Sequence, residues 1–173
     1  MYLTSIHVRV LKAAKAFSAT AFAVLLAATS VDAREVEEPA RPYVVGMDFG
    51  GSLNDRILEI NDLRESGRPV EIRGLFCLSS CTMFLGVNDA CIWPGTRFGF
   101  HGPSSKGAAL KGMHREYWET TMASFYQEPI KSWFLERGSK KIKGLYWFTG
   151  TQLIDYGVAR PCGKRSARQA VSR

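Results

Sequence analysis

The chain of 173 residues has no internal repeat and no low-complexity tract. That excludes solenoid, propeller and fibrous architectures, each of which writes its period into the sequence. Past the first thirty-odd residues there is no apolar run of the ~20 residues that a membrane-spanning helix needs. Paired C-x2-C motifs are also missing. Cys77 and Cys81 stand in a looser C-x3-C spacing with no second ligand cluster after them, so a zinc site built from Cys77, Cys81 and His101 is the weaker reading of those cysteines. Acidic residues are few: 16 Asp and Glu stand against 23 Lys and Arg, a net charge of +7. What is plentiful is hydrophobic side chain, 46% of the chain, enough for a folded globule and too much for a disordered tail.

The first 33 residues differ from the rest. Arg9, Lys12 and Lys15 give a positive start, Ala16 to Ala28 is uncharged and largely apolar, and Val31-Asp32-Ala33 ends the segment on small or modest residues. This is the layout of a secretory signal peptide cleaved after Ala33. The expected mature chain, 34–173, has about 140 residues, enough for one domain with a real core. It is expected to be periplasmic or secreted, with no stable membrane anchor after cleavage. Removing Arg9, Lys12, Lys15 and Asp32 leaves 20 basic and 15 acidic residues, or +5. Part of that excess sits in a basic tail, 163–173, with Lys164, Arg165, Arg168 and Arg173. The tail reads as a solvated, frayed terminus, and export makes nucleic acid an unsuitable partner. Export also meets an oxidising compartment, so the four cysteines, Cys77, Cys81, Cys91 and Cys162, are expected to form two disulfides. Of the three possible connectivities, Cys77–Cys81 with Cys91–Cys162 is favoured, because the first pair brackets one short turn.

Residues 34–42 are charged and carry two prolines, an extended lead-in to a domain over 43–162. Tyr43 to Phe49 is a β-prone run broken by Gly50-Gly51. Ser52 can cap a helix with apolar positions at Leu53, Ile57, Leu58 and Ile60. Pro69 to Arg73 reads as a strand, followed by a turn through Cys77 and Leu78 and a helix from Ser79 or Ser80. Ala90 to Trp93 and Arg97 to Phe100 are two more strands, and Gly102 to Gly107 a loop. A helical pattern then runs from about Ala109 to Arg137, which Pro129 should kink or divide. Thr149 to Tyr156 is a short helix capped by Thr149 or Thr151, and Gly157 begins a last strand. Strands alternating with helices predict an α/β domain with a mixed, mostly parallel sheet and a long C-terminal helical region.

One constellation speaks of chemistry. Ser80 lies at a strand-to-helix turn in Cys77-Leu78-Ser79-Ser80-Cys81, His101 follows the next strands, and Gly50-Gly51 is a turn with free N–H groups. A serine hydroxyl is a weak nucleophile until a base takes its proton. The residue after it at a helix start presents a free N–H, and a glycine turn lets a second one approach. Each part also has a plainer role. Ser80 or Ser79 can be a helix cap, and either can be the reacting hydroxyl; His101 can be structural. His114 reads as a surface residue, and the aromatic stripe of the long helix as packing or a subunit contact.

In their order along the chain these segments resemble the Clp-protease/crotonase superfamily, and within it exported Clp-like proteins. Asp48-Phe49-Gly50-Gly51-Ser52 is similar to that family's Ser-Pro-Gly-Gly turn, and Leu78-Ser79-Ser80-Cys81-Thr82-Met83-Phe84-Leu85 to its Ala-Ala-Ser-Met-Gly-Ala-Phe-Leu segment. Phe98-Gly99-Phe100-His101-Gly102-Pro103 resembles Val-Met-Ile-His-Gln-Pro, and Thr149 to Val158 the closing Ser-Ala-x-Glu-Ala-x-Glu-Tyr-Gly-Leu. The resemblance covers roughly 43–160 and implies a single-domain ββα-type fold. It makes Ser80 the nucleophile, His101 its base, and the N–H groups of Gly51 and Cys81 an oxyanion hole, with no cofactor and no metal. It departs from the family at Leu145, where an aspartate would orient the histidine; Tyr146 or a carboxylate such as Asp89 is a candidate stand-in. The implied function is a serine peptidase or hydrolase acting on a peptide or small acyl substrate, with a homo-oligomer as an expected partner state. The competing readings are a binding or assembly module that has lost the acid and, last, an acyl-CoA-type hydrolase or isomerase.

Overall fold

The computed structural model describes residues 40–163, so the signal segment, most of the lead-in and the basic tail lie outside it. Three successive passages of chain follow one plan, although the sequence shows no repeat. In the first, β1 (Tyr43–Val45) is followed by Asp48, which bridges in parallel to Cys77, and then by α1 (Leu53–Glu65). In the second, β2 (Val70–Ile72) leads to β3 (Phe76–Leu78) and a 3₁₀ helix, Ser79–Gly86. In the third, β4 (Cys91–Ile92) leads to β5 (Arg97–Phe100). A hairpin of β6 (Ser104–Ser105) and β7 (Ala108–Ala109) comes next, then α2 (Gly112–Ala123), α3 (Ile130–Glu136) and a 3₁₀ turn, Gly138–Lys140. The chain closes with β8 (Tyr146–Thr149), α4 (Gly150–Asp155) and β9 (Arg160–Pro161).

The first strand of each passage enters one sheet and the second enters another. The four-stranded sheet runs β1-β2-β4-β9 and is parallel throughout. The three-stranded sheet runs β3-β5-β8, with β3 and β5 parallel and β8 antiparallel. Mixed, mostly parallel α/β architecture is therefore what the alternation of elements implied. Parallel neighbours cannot be joined by a tight turn, so a helix must carry the chain back. α1 does this between β1 and β2, and the 3₁₀ helix lies within the connection from β2 to β4.

The local chemistry explains the elements. Ser52 caps α1 and accepts from Asp55 N–H at 3.4 Å. The helix buries Ile60 and Leu63 and packs Leu53 and Ile57 beside them, one stripe at helical spacing. Leu58 falls off that stripe and is 68% exposed, against the expectation that it faces the core. Of the two candidate caps, Thr149 rather than Thr151 caps α4, in a full capping box with Gln152. The fully buried Ile72, Met83, Phe84, Phe98, Phe100 and Phe134 belong to one continuous core.

Other expectations are corrected. The long helical region is two short helices, α2 and α3, with Pro129 at the N-cap of the second. Proline has no N–H and its ring opposes an α-helical residue before it, so the helix divides where the sequence put it. The segment through Cys77 and Leu78 is strand β3, and the last strand begins at Arg160 rather than Gly157. Strand β8 and the β6–β7 hairpin were not foreseen.

The two disulfides are Cys77–Cys81 and Cys91–Cys162, the pairing that the spacing favoured. They close loops of very different length, with sequence separations of 4 and 71. The longer one ties β4 to the residue after β9. Replacing Cys91 and Cys162 by Ala is expected to lower the unfolding free energy by about 2–4 kcal/mol, read as a lower urea midpoint. The same replacement at Cys77 and Cys81 is expected to cost less, because so short a loop restricts the unfolded chain little.

Candidate functional site

The residues singled out in the sequence converge at one end of the three-stranded sheet. Leu78, the last residue of β3, is the register partner of Gly99 in β5. The strands are parallel, so the chains that follow, Ser79-Ser80 and Phe100-His101, leave side by side at the C-terminal ends of neighbouring strands, about 4.8 Å apart. On the other flank Asp48 N–H donates to Phe76 C=O at 3.0 Å and Leu78 N–H to Asp48 C=O at 2.9 Å. This pair of bonds brings the Gly50-Gly51 turn against the serine turn. A Cβ on Gly50, whose φ is +93°, would lie 2.6 Å from Ser79 Cβ, so only glycine fits there.

The two serines are in different situations. Ser79 is half-buried and holds φ of +56°, a left-handed conformation that non-glycine residues seldom adopt. Its carbonyl accepts from Thr82 Oγ1 at 2.7 Å. Thr82 Oγ1 is also 2.7 Å from Tyr126 Oη. The one threonine hydrogen goes to a carbonyl, which can only accept, so Tyr126 donates to Thr82. Burial pushes the Tyr126 phenol well above its ordinary pKa, against the opposing bond to Thr82, and keeps it a donor. Ser80 is wholly buried, and its Oγ donates to Gly51 C=O at 3.4 Å.

The N–H groups follow the same logic. In a 3₁₀ helix each N–H bonds the carbonyl three residues back. The helix starts at Ser79, whose φ is +56°, so the N–H groups of Ser79, Ser80 and Cys81 all lie in its first turn. The Cys81 donor expected from the sequence and the Ser80 N–H one residue before it are both in that turn. Within the glycine turn, Gly50 N–H is committed to Asp48 Oδ1 at 2.7 Å. Gly51 N–H has no acceptor among the described residues.

His101 is half-buried, and its Nδ1 lies 2.7 Å from Gly102 C=O. A carbonyl only accepts, so Nδ1 carries the proton and Nε2 of the neutral ring is the bare acceptor, the form a general base requires. No hydrogen bond joins His101 to Ser79 or Ser80. Gly102 itself is packed without slack: a Cβ there would meet Ser139 C=O at 1.8 Å, and its N–H donates to Lys141 C=O at 2.8 Å.

Where the resemblance would place an acid, the residue is Leu145. β5 pairs with β8 as Gly99↔Trp147 and Phe100↔Tyr146, the last pair of that register, and His101 and Leu145 are the next residue on each chain beyond it. Tyr146 packs on Trp133, with its ring also under Lys141, and Asp89 sits before β4, at the opposite end of the strands. Neither orients the imidazole. The zinc alternative is corrected too, since Cys77 and Cys81 are bonded to each other and offer no thiolate. His114 is exposed and accepts from Trp118 Nε1 at 2.9 Å.

Two charged groups brace the site that sequence reasoning missed. Arg56 bonds Asp48 Oδ2 and Glu59 Oε2, each at 2.6 Å, and its guanidinium lies 4.3 Å over the Phe84 ring. Tyr43 donates to Glu59, and burial, then that bond, pushes its phenol up to about 12. Buried Glu119 accepts from Arg115 at 2.6 Å and Lys140 at 3.0 Å, tying α2 to the turn on which Gly102 rests. No protein-family model matches the chain, and no curated protein matches it significantly.

Burial alone would raise the Glu119 carboxyl, but its bonds to Arg115 and Lys140 outweigh that and hold it below its ordinary 4.5. A folded-state pKa below the unfolded one adds stability above the unfolded value, and this is lost as pH falls through the folded one. Glu119→Gln is therefore expected to be less stable than the parent chain at pH 7. The gap should close as pH falls below about 4.5, the carboxyl's ordinary value, and denaturation midpoints measured across pH check it.

Proposed function

We propose that this chain is an exported serine hydrolase of the Clp/crotonase-like type, cleaving an amide or ester through an acyl-enzyme. His101 is the base. Of the two candidate hydroxyls, the half-exposure and strained φ of Ser79 favour it over Ser80, which is sealed from solvent. The N–H groups of Ser80 and Gly51 are the oxyanion donors, a shift of one residue from the Gly51 and Cys81 pair. Two such donors in a preorganised turn lower an acyl-transfer barrier by several kcal/mol. The observation that carries the reading is the register Leu78↔Gly99 beside the Asp48↔Cys77 bridge, which gathers three short segments at one strand end. The strand–strand–helix plan supports the family assignment as well. In this reading Gly102 C=O takes over one duty of the missing acid, that of fixing the tautomer.

A second reading has its own observation. Leu145, where the resemblance would place an acid, offers no charge to the imidazolium that forms during proton transfer, and that favours a binding module built on the same fold. Labelling by a fluorophosphonate probe decides between them. The oxidised parent chain is expected to label at one residue, Ser79→Ala to lose all label, and His101→Ala to label at least about a hundredfold more slowly, the usual worth of a general base. Ser80→Ala is expected to retain labelling. Label retained in Ser79→Ala but lost in Ser80→Ala would return the role to Ser80; no label on the parent chain leaves the binding module.

A further inference from the structure

Three arginines meet in one cavity that shares no residue with the serine, glycine or histidine segments. β2, β4 and β9 are parallel neighbours, with Glu71, Cys91 and Arg160 in register. Arg68 and Asp89, each two residues before its strand, therefore gather with Arg160 where the four-stranded sheet starts. Arg64 joins them from the last turn of α1. The cavity has a volume of about 570 Å³, within the range of small-molecule sites, and the buried Leu63 and Val87 give it an apolar wall. What holds the arginines is neutral. Arg64 Nη2 donates to Gly86 C=O at 2.7 Å, and its guanidinium lies 4.9 Å over the Phe125 ring. Arg68 Nε donates to Arg41 C=O at 2.9 Å, with its guanidinium 5.4 Å over Tyr43. A carbonyl and a ring fix where a guanidinium sits but leave its charge uncancelled and most of its N–H donors unused. Arg56, Arg73 and Arg115 differ, each being bonded to a carboxylate. Among the described residues no carboxylate pairs with Arg64, Arg68 or Arg160. Asp89 also lines the cavity, so three positive charges stand against one negative, a balance of +2.

We propose that this cavity binds a small phosphate monoester, with the phosphate on the three guanidiniums and the organic group of the ester against Leu63 and Val87. A guanidinium fork meets phosphate oxygens in pairs. A phosphate monoester carries about −1.5 to −2 charges at pH 7, which matches the +2 of the lining. A single carboxylate would leave half of that charge uncancelled. The concave shape suits a small solute better than a flat membrane surface. The proposal is independent of the hydrolase reading, since the two sites have no residue in common.

Titration calorimetry of phenyl phosphate into the full oxidised chain, at neutral pH and low salt, tests the proposal, with inorganic phosphate and benzoate as comparators. Phenyl phosphate is expected to saturate one site and to bind more tightly than either comparator. Arg68→Gln and Arg160→Gln, each checked for native circular dichroism, are expected to weaken it about fivefold or more, the worth of a charged hydrogen bond discounted for exposure. Lys131→Gln, on an exposed position of α3, is expected to leave it unchanged. Benzoate or inorganic phosphate binding as tightly as phenyl phosphate, equal weakening by Lys131→Gln, or no saturable binding would overturn the proposal. Binding only to phosphatidylcholine vesicles that carry phosphatidic acid would give the arginines to a membrane surface and overturn it too. So would binding of phenyl phosphate that appears only when Glu35→Gln, Glu37→Gln and Glu38→Gln are combined, which would give the arginines to the chain's own lead-in.

Discussion

Asp48 is the residue through which the site is assembled. Its backbone N–H and C=O pair with both ends of β3, its Oδ1 holds Gly50 N–H, and its Oδ2 holds Arg56 of α1. Four bonds therefore join a glycine turn, a strand and a helix at one residue. Neutral bonds of this kind contribute about 0.5–1.5 kcal/mol each and charge-assisted ones about 1.5–3 kcal/mol. The Arg56 contact is mostly shielded from water, so it is not discounted as an exposed ion pair would be. Without Asp48 the Gly50-Gly51 turn keeps only the 3.4 Å bond from Ser80 Oγ to Gly51 C=O and packing against Ser79, and a donor on a loose turn loses preorganisation.

The serine turn is over-determined in a second way. A non-glycine residue at positive φ costs about 1–3 kcal/mol and persists only where its surroundings insist on it. Around Ser79 the insistence comes from the Thr82 bond to its carbonyl, from Tyr126 behind Thr82, and from the Cys77–Cys81 disulfide that spans the turn. Each constraint comes from a different part of the chain: the 3₁₀ helix itself, the end of α2, and β3. These constraints converge on the backbone of one half-buried residue, the one proposed as nucleophile. Leu58 is exposed too, yet nothing holds it in any special geometry.

Features written locally were legible. Caps such as Ser52 and Thr149 act through their own side chains within three residues, and the cysteine pairing followed from one short spacing and one remaining pair. Pro129 announced the break between α2 and α3. What was not legible depends on partners far away in sequence. Strand β8 exists because β5 offers it an edge, and its residues, with Trp147 facing water, carry no alternating pattern. Asp48, Arg56 and Glu59 looked like ordinary surface charges until the fold brought α1 against the glycine turn. The choice between Ser79 and Ser80 turns on backbone dihedrals and burial, which adjacent identical residues cannot reveal.

The vacancy at the acid position shapes what the proposed dyad could achieve. A carboxylate beside an imidazole does two things: it fixes the tautomer and it neutralises the imidazolium formed as the base takes its proton. Gly102 C=O supplies the first, since it compels Nδ1 to carry the hydrogen. It supplies little of the second, because a carbonyl dipole is a fraction of a full charge, and among the described residues no carboxylate bonds His101. In the proposed dyad, proton abstraction would proceed with less help from electrostatics, and a larger share of the rate would have to come from holding the substrate in register with Ser79.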